Sequence, residues 1–224
     1  MSTWFDEPVT CFACSTTFTA RLAHGVHATR APEVREQLFA RTFHRVTCPA
    51  CATVFTAQRG LVYTDMDRRH WLQVAREDER PRWPELEPAT RDIFDRAFTG
   101  SPLAQPLCEG MRVRLVFGLE ELREKLVIWR ANLDDATVEC LKLDAVVHEP
   151  ALLHAQRIVL DEVTADGALA LAVDGERQLT IPTELVERYH DDPTLSRRFP
   201  ELFGGTFVSA HRLLGHRYRW VDPT

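Results

Sequence analysis

Four of the six cysteines stand in two pairs of identical spacing, Cys11-Phe12-Ala13-Cys14 and Cys48-Pro49-Ala50-Cys51, with 33 residues between the pairs. A two-residue gap lets both thiolates of a tight turn face one ion at about 2.3 Å while turn amides donate to the sulfurs and offset their charge. Two such knuckles complete a closed tetrahedral site, so the pattern implies one structural zinc ion, with iron the other metal that thiolates alone would accept. Pro49 presets φ for the second turn. The spacer exceeds the roughly 15 to 20 residues of the commonest pattern, but closing a longer loop costs only about 0.6 kcal/mol per doubling. The competing readings are a thioredoxin-like redox pair and a pair of disulfides. A redox motif normally occurs once, at the start of a helix, whereas here there are two, each followed by strand-like sequence. Cys108 and Cys140 have no partner at ligand spacing and read as small buried hydrophobes.

Other residues invite chemistry less strongly. Arg68, Arg69, His70 and Trp71 place positive charge beside an aromatic, the arrangement that grips single-stranded nucleic acid, although Asp65 and Asp67 oppose it. Those two aspartates fit turn hydrogen bonding better than cation binding. His24 and His27 bracket Gly25 at a spacing that could hold a second metal, but a pair at a hairpin tip is usually solvated. Ser209, His211 and His216 lack a nucleophile elbow and a placed acid. No Gly-rich phosphate loop is present.

The elements that must position these groups follow from periodicity. Thr16–Ala23 is a strand, with a turn at Gly25; Pro32–Arg41 is a short helix with proline at its first position; Phe43–Thr47, Thr53–Gln58 and Leu61–Tyr63 are strands. The turn Asp65-Met66-Asp67 leads to a returning strand at 69–74. Residues 79–90, with Pro81, Pro84 and Pro88, suggest an extended linker. A helix follows over Thr90–Phe98 with Ile93, Phe94, Ala97 and Phe98 on one face. Met111–Phe117 alternates as a strand and stops at Gly118. Leu119, Leu122, Leu126, Trp129 and Leu133 share a helical face, with a Glu121 to Lys125 pair and a stop at Asn132. A second helix starts at Asp134 or Asp135 and turns Val138, Leu141, Ala145 and Val146 inward, forming a helical hairpin. Strands over 157–163, 168–173 and 177–181, joined at Asp166-Gly167 and Asp174-Gly175, make a β-meander. Pro182–His190 is a helix, and Phe207–Leu214 a further strand.

The fold class is therefore α+β: an N-terminal β-rich zinc ribbon with an inserted short helix, then a helical hairpin and a C-terminal antiparallel meander. Domain boundaries fall at 1–78 for the ribbon, 79–90 for the linker and 91–224 for the α+β remainder. The knuckles, the Leu61–Asp67 turn region and the run Arg114–Leu126 resemble bacterial CpXC-domain proteins, named for paired Cys-Pro-x-Cys motifs. That resemblance covers residues near 8 to 130, so the first domain would extend to about 130. It implies that Cys11, Cys14, Cys48 and Cys51 are metal ligands, and it supplies no activity. The sequence departs from the motif at Phe12, where proline is usual, and at Ser15 and Ala52, where glycine is usual.

With 224 residues, 45% hydrophobic and 27% charged, the chain falls in the globular class. Of 27 basic residues only two are lysine, Lys125 and Lys142, a skew that resembles codon bias. Residues 1–80 carry a net charge of +1 and residues 81–224 one of −7, without the basic excess of a duplex-DNA binder. No basic segment leads into an apolar one at the start and no apolar run reaches membrane length, so a cytoplasmic location and no membrane partner are expected. The functional expectation is a non-catalytic adaptor or scaffold that engages another protein. The alternatives are a nucleic-acid-binding ribbon using Arg68, Arg69 and Trp71, and an enzyme whose pocket lies between the two halves.

Overall fold

Period-two alternation of half-buried and exposed residues builds a long antiparallel ribbon from β1 (Thr3–Thr10) and β2 (Thr17–His27), paired from Thr10 with Thr17 to Thr3 with Gly25. The computed structural model describes residues 2–98, 105–175 and 177–214. Their contacts gather into two units, Met1–Leu122 and Arg123–Thr224.

In the first unit the last residues of β2 run parallel to β5 (Leu61–Asp65), which pairs antiparallel with β6 (His70–Ala75), and β6 runs parallel to β7 (Arg112–Phe117). The sheet order is β1-β2-β5-β6-β7. The connection between β2 and β5 carries helix α1 (Glu33–Phe39) and a small hairpin of β3 (Arg45–Thr47) and β4 (Val54–Thr56). Helix α2 (Trp83–Phe98) crosses between β6 and β7 and lays Ile93, Phe94 and Phe98 on Trp71 and Val113.

Several sequence expectations are corrected. Gly25 is not a turn but a residue within β2; a register shift lies opposite it at Thr3 and Trp4, and a Cβ there would stand 3.1 Å from Thr3 Oγ1. Strand β1 gave no clear sequence signal. Residues 79–90 are not an extended linker but lie in a 3-10 turn (Glu77–Arg82) and the first half of α2. Pro84 falls in the first turn of α2, where a starting helix leaves N–H groups unbonded, whereas Pro81 inside the 3-10 turn and Pro88 inside α2 each forgo one bond. Gly118 ends β7 with φ +80°, and a Cβ there would stand 2.5 Å from the Glu77 side chain.

The unit division falls inside helix α4 (Gly118–Arg130), after the short α3 (Gln105–Cys108). In the second unit α4 stops at Asn132, whose φ of +59° closes the helix. The next helix, α5 (Asp135–His148), is capped by Asp134, whose carboxylate accepts from the Thr137 N–H at 3.0 Å. Strands β8 (Ile158–Val163), β9 (Leu169–Val173) and β10 (Arg177–Ile181) form the meander. Helices α6 (Thr183–His190), α7 (Leu195–Arg198) and α8 (Pro200–Gly204) follow. The expected strand at Phe207–Leu214 does not form: an irregular segment leads into α9 (His211–Leu214). Phe207, Val208 and Ala210 are buried, so the apolar run marks a core segment in irregular conformation.

Side chains satisfy that segment's backbone. Lys125 Nζ donates to the Val208 carbonyl at 2.7 Å, and the Ala210 N–H donates to Glu139 Oε2 at 2.9 Å. These bonds belong to a buried charge cluster between α4 and α5. Lys125 Nζ lies 3.3 Å from Asp135 and 3.2 Å from Glu139; Lys142 Nζ lies 2.6 Å from Glu124 and 3.0 Å from Glu139. The expected Glu121 to Lys125 pair is therefore absent. Glu121 instead binds Arg80 at 2.8 Å and accepts the Phe117 N–H at 2.7 Å. Helix α4 is buried almost all round, so each of its charges needs a partner from another element.

The only two lysines in the chain both lie in this cluster. An amine-reactive ester should leave both unmodified in the native protein and modify both after denaturation, read by peptide mass mapping. Modification of either lysine in the native state would contradict the burial.

Candidate metal centre

Each knuckle sits at the tip of a hairpin, Cys11–Cys14 between β1 and β2 and Cys48–Cys51 between β3 and β4. The two turns have the same backbone plan. The Cys11 N–H donates to Thr16 O at 2.9 Å and the Ser15 N–H to Cys11 O at 2.8 Å; the Cys48 N–H donates to Thr53 O and the Ala52 N–H to Cys48 O, both at 2.9 Å. Folding brings the tips together, with Cys11 Sγ 3.7 Å from Cys51 Sγ and Cys14 Sγ 3.6 Å from Cys48 Sγ. All four sulfurs lie within 4.8 Å of one another. A tetrahedron with sulfur arms of about 2.3 Å has edges of about 3.8 Å, so the observed separations fit one metal ion held by four thiolates. Phe55 clamps the two tips from the side, edge-on to Phe12 at 5.6 Å and to Phe18 at 6.3 Å.

The CpXC protein family matches residues 9–142, which include both knuckles and more than half of the chain. The chain belongs to the CpXC family. No curated protein and no solved structure matches it significantly. The family match runs past the ribbon, through β7 and α4 and into α5, which agrees with β7 being a strand of the ribbon's own sheet.

The departures of this CpXC chain from its motif have a visible cost. Ser15 and Ala52 adopt φ of +57° and +60°, the left-handed region that glycine enters freely and an L side chain enters at about 1–2 kcal/mol. Ala52→Gly should therefore stabilise the metal-loaded protein by about 0.5–1 kcal/mol after allowing for the extra freedom of glycine in the unfolded chain. Urea unfolding reads this, and a destabilised variant would contradict the strain.

The thiols of Cys11, Cys14 and Cys51 differ electrostatically. Burial pushes Cys11 up to about 11, against the lowering effect of turn amides. The Thr53 hydroxyl, 3.2 Å from Cys51 Sγ, draws that thiol down to about 6, and Thr16 at 3.3 Å lowers Cys14 in the same way. Metal binding at neutral pH must thus displace at least the Cys11 proton.

The remaining sequence candidates do not converge. His24 and His27 share strand β2 at an odd spacing and so face opposite sides. His24 Nε2 meets Glu7 at 2.5 Å, with Arg59 bonded to both, while the His27 N–H donates to Ser2. Asp65 accepts the Arg68 N–H at 3.3 Å, the expected turn bond, and it is also buried and accepts from Arg35 at 2.8 Å and Thr29 at 3.2 Å, tying α1 to the β5–β6 turn. Arg68 leans on Asp65 at 3.5 Å, Arg69 donates to the Glu109 carbonyl, and Trp71 is 3% exposed against Phe94. A buried indole offers no face to a base, so these three residues form no stacking platform. Ser209 is buried and accepts the His211 backbone N–H at 3.3 Å, a turn contact; His216 lies outside the described residues. Cys140 packs in the core with Ala136 and Leu143, and Cys108 lies against the Trp71 cluster. No described helix is long and apolar enough to cross a membrane.

Proposed function

We propose that the four cysteines hold one structural zinc ion and that the folded ribbon acts as a non-catalytic adaptor for another protein. The observation that carries this reading is the sulfur tetrahedron built from two equivalent hairpin tips, Cys11 and Cys48 buried and Cys14 and Cys51 exposed. Bound there, zinc would cross-link two hairpins distant in sequence and supply folding free energy. With four thiolates it keeps no open position for water or substrate. The chain's residues orient the sulfurs through the paired turns and through Thr16 and Thr53.

Exposed apolar groups around the centre support the adaptor role. Phe12 is 76% exposed and Val54 45% exposed beside the cysteines, an arrangement that suits an apolar contact on a protein partner. The placement of Arg68, Arg69 and Trp71 lends no support to nucleic-acid binding. The test is gentle affinity isolation from the native host at low salt, with and without nuclease, using wild type and Phe12→Asp. A protein retained in fixed stoichiometry after nuclease, and lost with Phe12→Asp while zinc is kept, supports the adaptor. Nuclease-sensitive material absorbing near 260 nm, or a partner indifferent to Phe12, would overturn it.

A further inference from the structure

A groove of about 840 Å³ lies wholly within the second unit, between α5, β10 and α6, and is independent of the four cysteines. Its volume falls in the range of small-molecule sites, roughly 300–1,000 Å³. Ala145 from α5, Leu179 from β10 and Leu185 from α6 give it an aliphatic wall. Against that wall stands Asp144, its side chain only 24% exposed.

The polar groups are arranged around this carboxylate. Tyr189 donates its hydroxyl to Asp144 Oδ1 at 2.8 Å. Burial, helped by that bond, pushes the Tyr189 phenol up to about 12, so it remains a donor at neutral pH. Among the described residues, Asp144 Oδ2 meets His148 Nδ1 alone, at 3.4 Å. Four carboxylates, from Asp144, Glu149, Glu184 and Asp192, line the groove against two guanidiniums, from Arg188 and Arg198. The guanidiniums lie toward water. Arg188 is exposed, and Arg198 has a side chain 53% exposed, is engaged by Asp192 at 3.2 Å and lies over the Phe199 ring. A half-buried charge beside aliphatic surface acts more strongly than solvated charges at a rim, so the groove favours a cation.

We propose that this groove binds a small organic cation, a primary ammonium on an aliphatic body, with the ammonium on Asp144 and the body along Ala145, Leu179 and Leu185. An anion would meet its two guanidinium partners only at the exposed lip. The test titrates hexylammonium, hexan-1-ol and hexanoate into the full-length protein and follows backbone amide NMR shifts. Hexylammonium should move the amides of residues 141–149 and 179–189 saturably, and hexanoate should not. Asp144→Asn keeps an acceptor for Tyr189 and removes the charge; it should weaken hexylammonium binding roughly tenfold, as loss of a charge-assisted hydrogen bond does. Thr180→Arg, at an exposed lip position, should weaken it as well and decides the matter if the first variant does not fold. Equal binding of hexanoate, shifts elsewhere only, or unchanged affinity in a folded variant would overturn the proposal.

Discussion

Replacing Cys48 by serine is expected to release the metal ion and unfold the ribbon. Cys48 is buried and its sulfur lies 3.6 Å from Cys14, so a serine oxygen there removes one of four ligands at the point where the two hairpins join. The hairpin of β3 and β4 has three residues in each strand, too few to stand without the cross-link. Structural zinc contributes apparent folding free energy of about 10–16 kcal/mol in small modules, comparable with the whole stability of a domain. Metal content by elemental analysis and thermal unfolding followed by circular dichroism read the outcome together. A serine variant that keeps both its metal and its transition would remove the metal from the account of the fold.

Lys142→Met should destabilise the second unit by about 3–5 kcal/mol, because it removes the close cation of buried Glu124 and leaves Glu139 with Lys125 alone. Lys142 Nζ lies 2.6 Å from Glu124 and 3.0 Å from Glu139. Burial alone would lower the pKa of that ammonium, but the carboxylates of Glu124 and Glu139 more than offset this and hold it above the ordinary lysine value. A cation whose folded pKa is raised contributes stability that is complete below the unfolded value, about 10.4, and is lost as pH rises through the folded value. The contribution is therefore flat across neutral pH and fades only in alkali. Urea unfolding at pH 7 measures the loss, and a cost under about 1 kcal/mol would show that the network is solvated or rearranges freely. The compact ammonium, with three donors, suits this enclosed site better than a planar guanidinium.

The two lysines carry a signal that composition alone does not interpret. In a chain with 25 other basic residues, all arginine, their rarity invites a reading of codon bias, yet both occupy the same buried cluster. The signal was present in the composition, but only the crossing of α4 and α5 gives it meaning. The metal centre was legible because knuckle spacing is local: the cysteines, the turn between them and the strand after each fall within about six residues. The meander was legible for the same reason, since Asp166-Gly167 and Asp174-Gly175 set its hairpins. Strand β7 could be read as a strand, but not as part of the ribbon's sheet, because its parallel pairing with β6 spans more than thirty residues and leaves no local mark. The proline-rich stretch misled because proline favours a helix start as much as a linker. Trp71 beside two arginines suggests a stacking platform, but β6 is an interior strand buried along almost its whole length, and Phe94 of α2 covers the indole.

The most direct test of the central claim is zinc-edge X-ray absorption on the purified full-length protein, together with metal stoichiometry by native mass spectrometry. One zinc ion per chain is expected, with four sulfur neighbours at about 2.3 Å and no oxygen or nitrogen bound to it. A folded protein with four freely titrating thiols and no metal, or a zinc ion with mixed light-atom ligands, would contradict it.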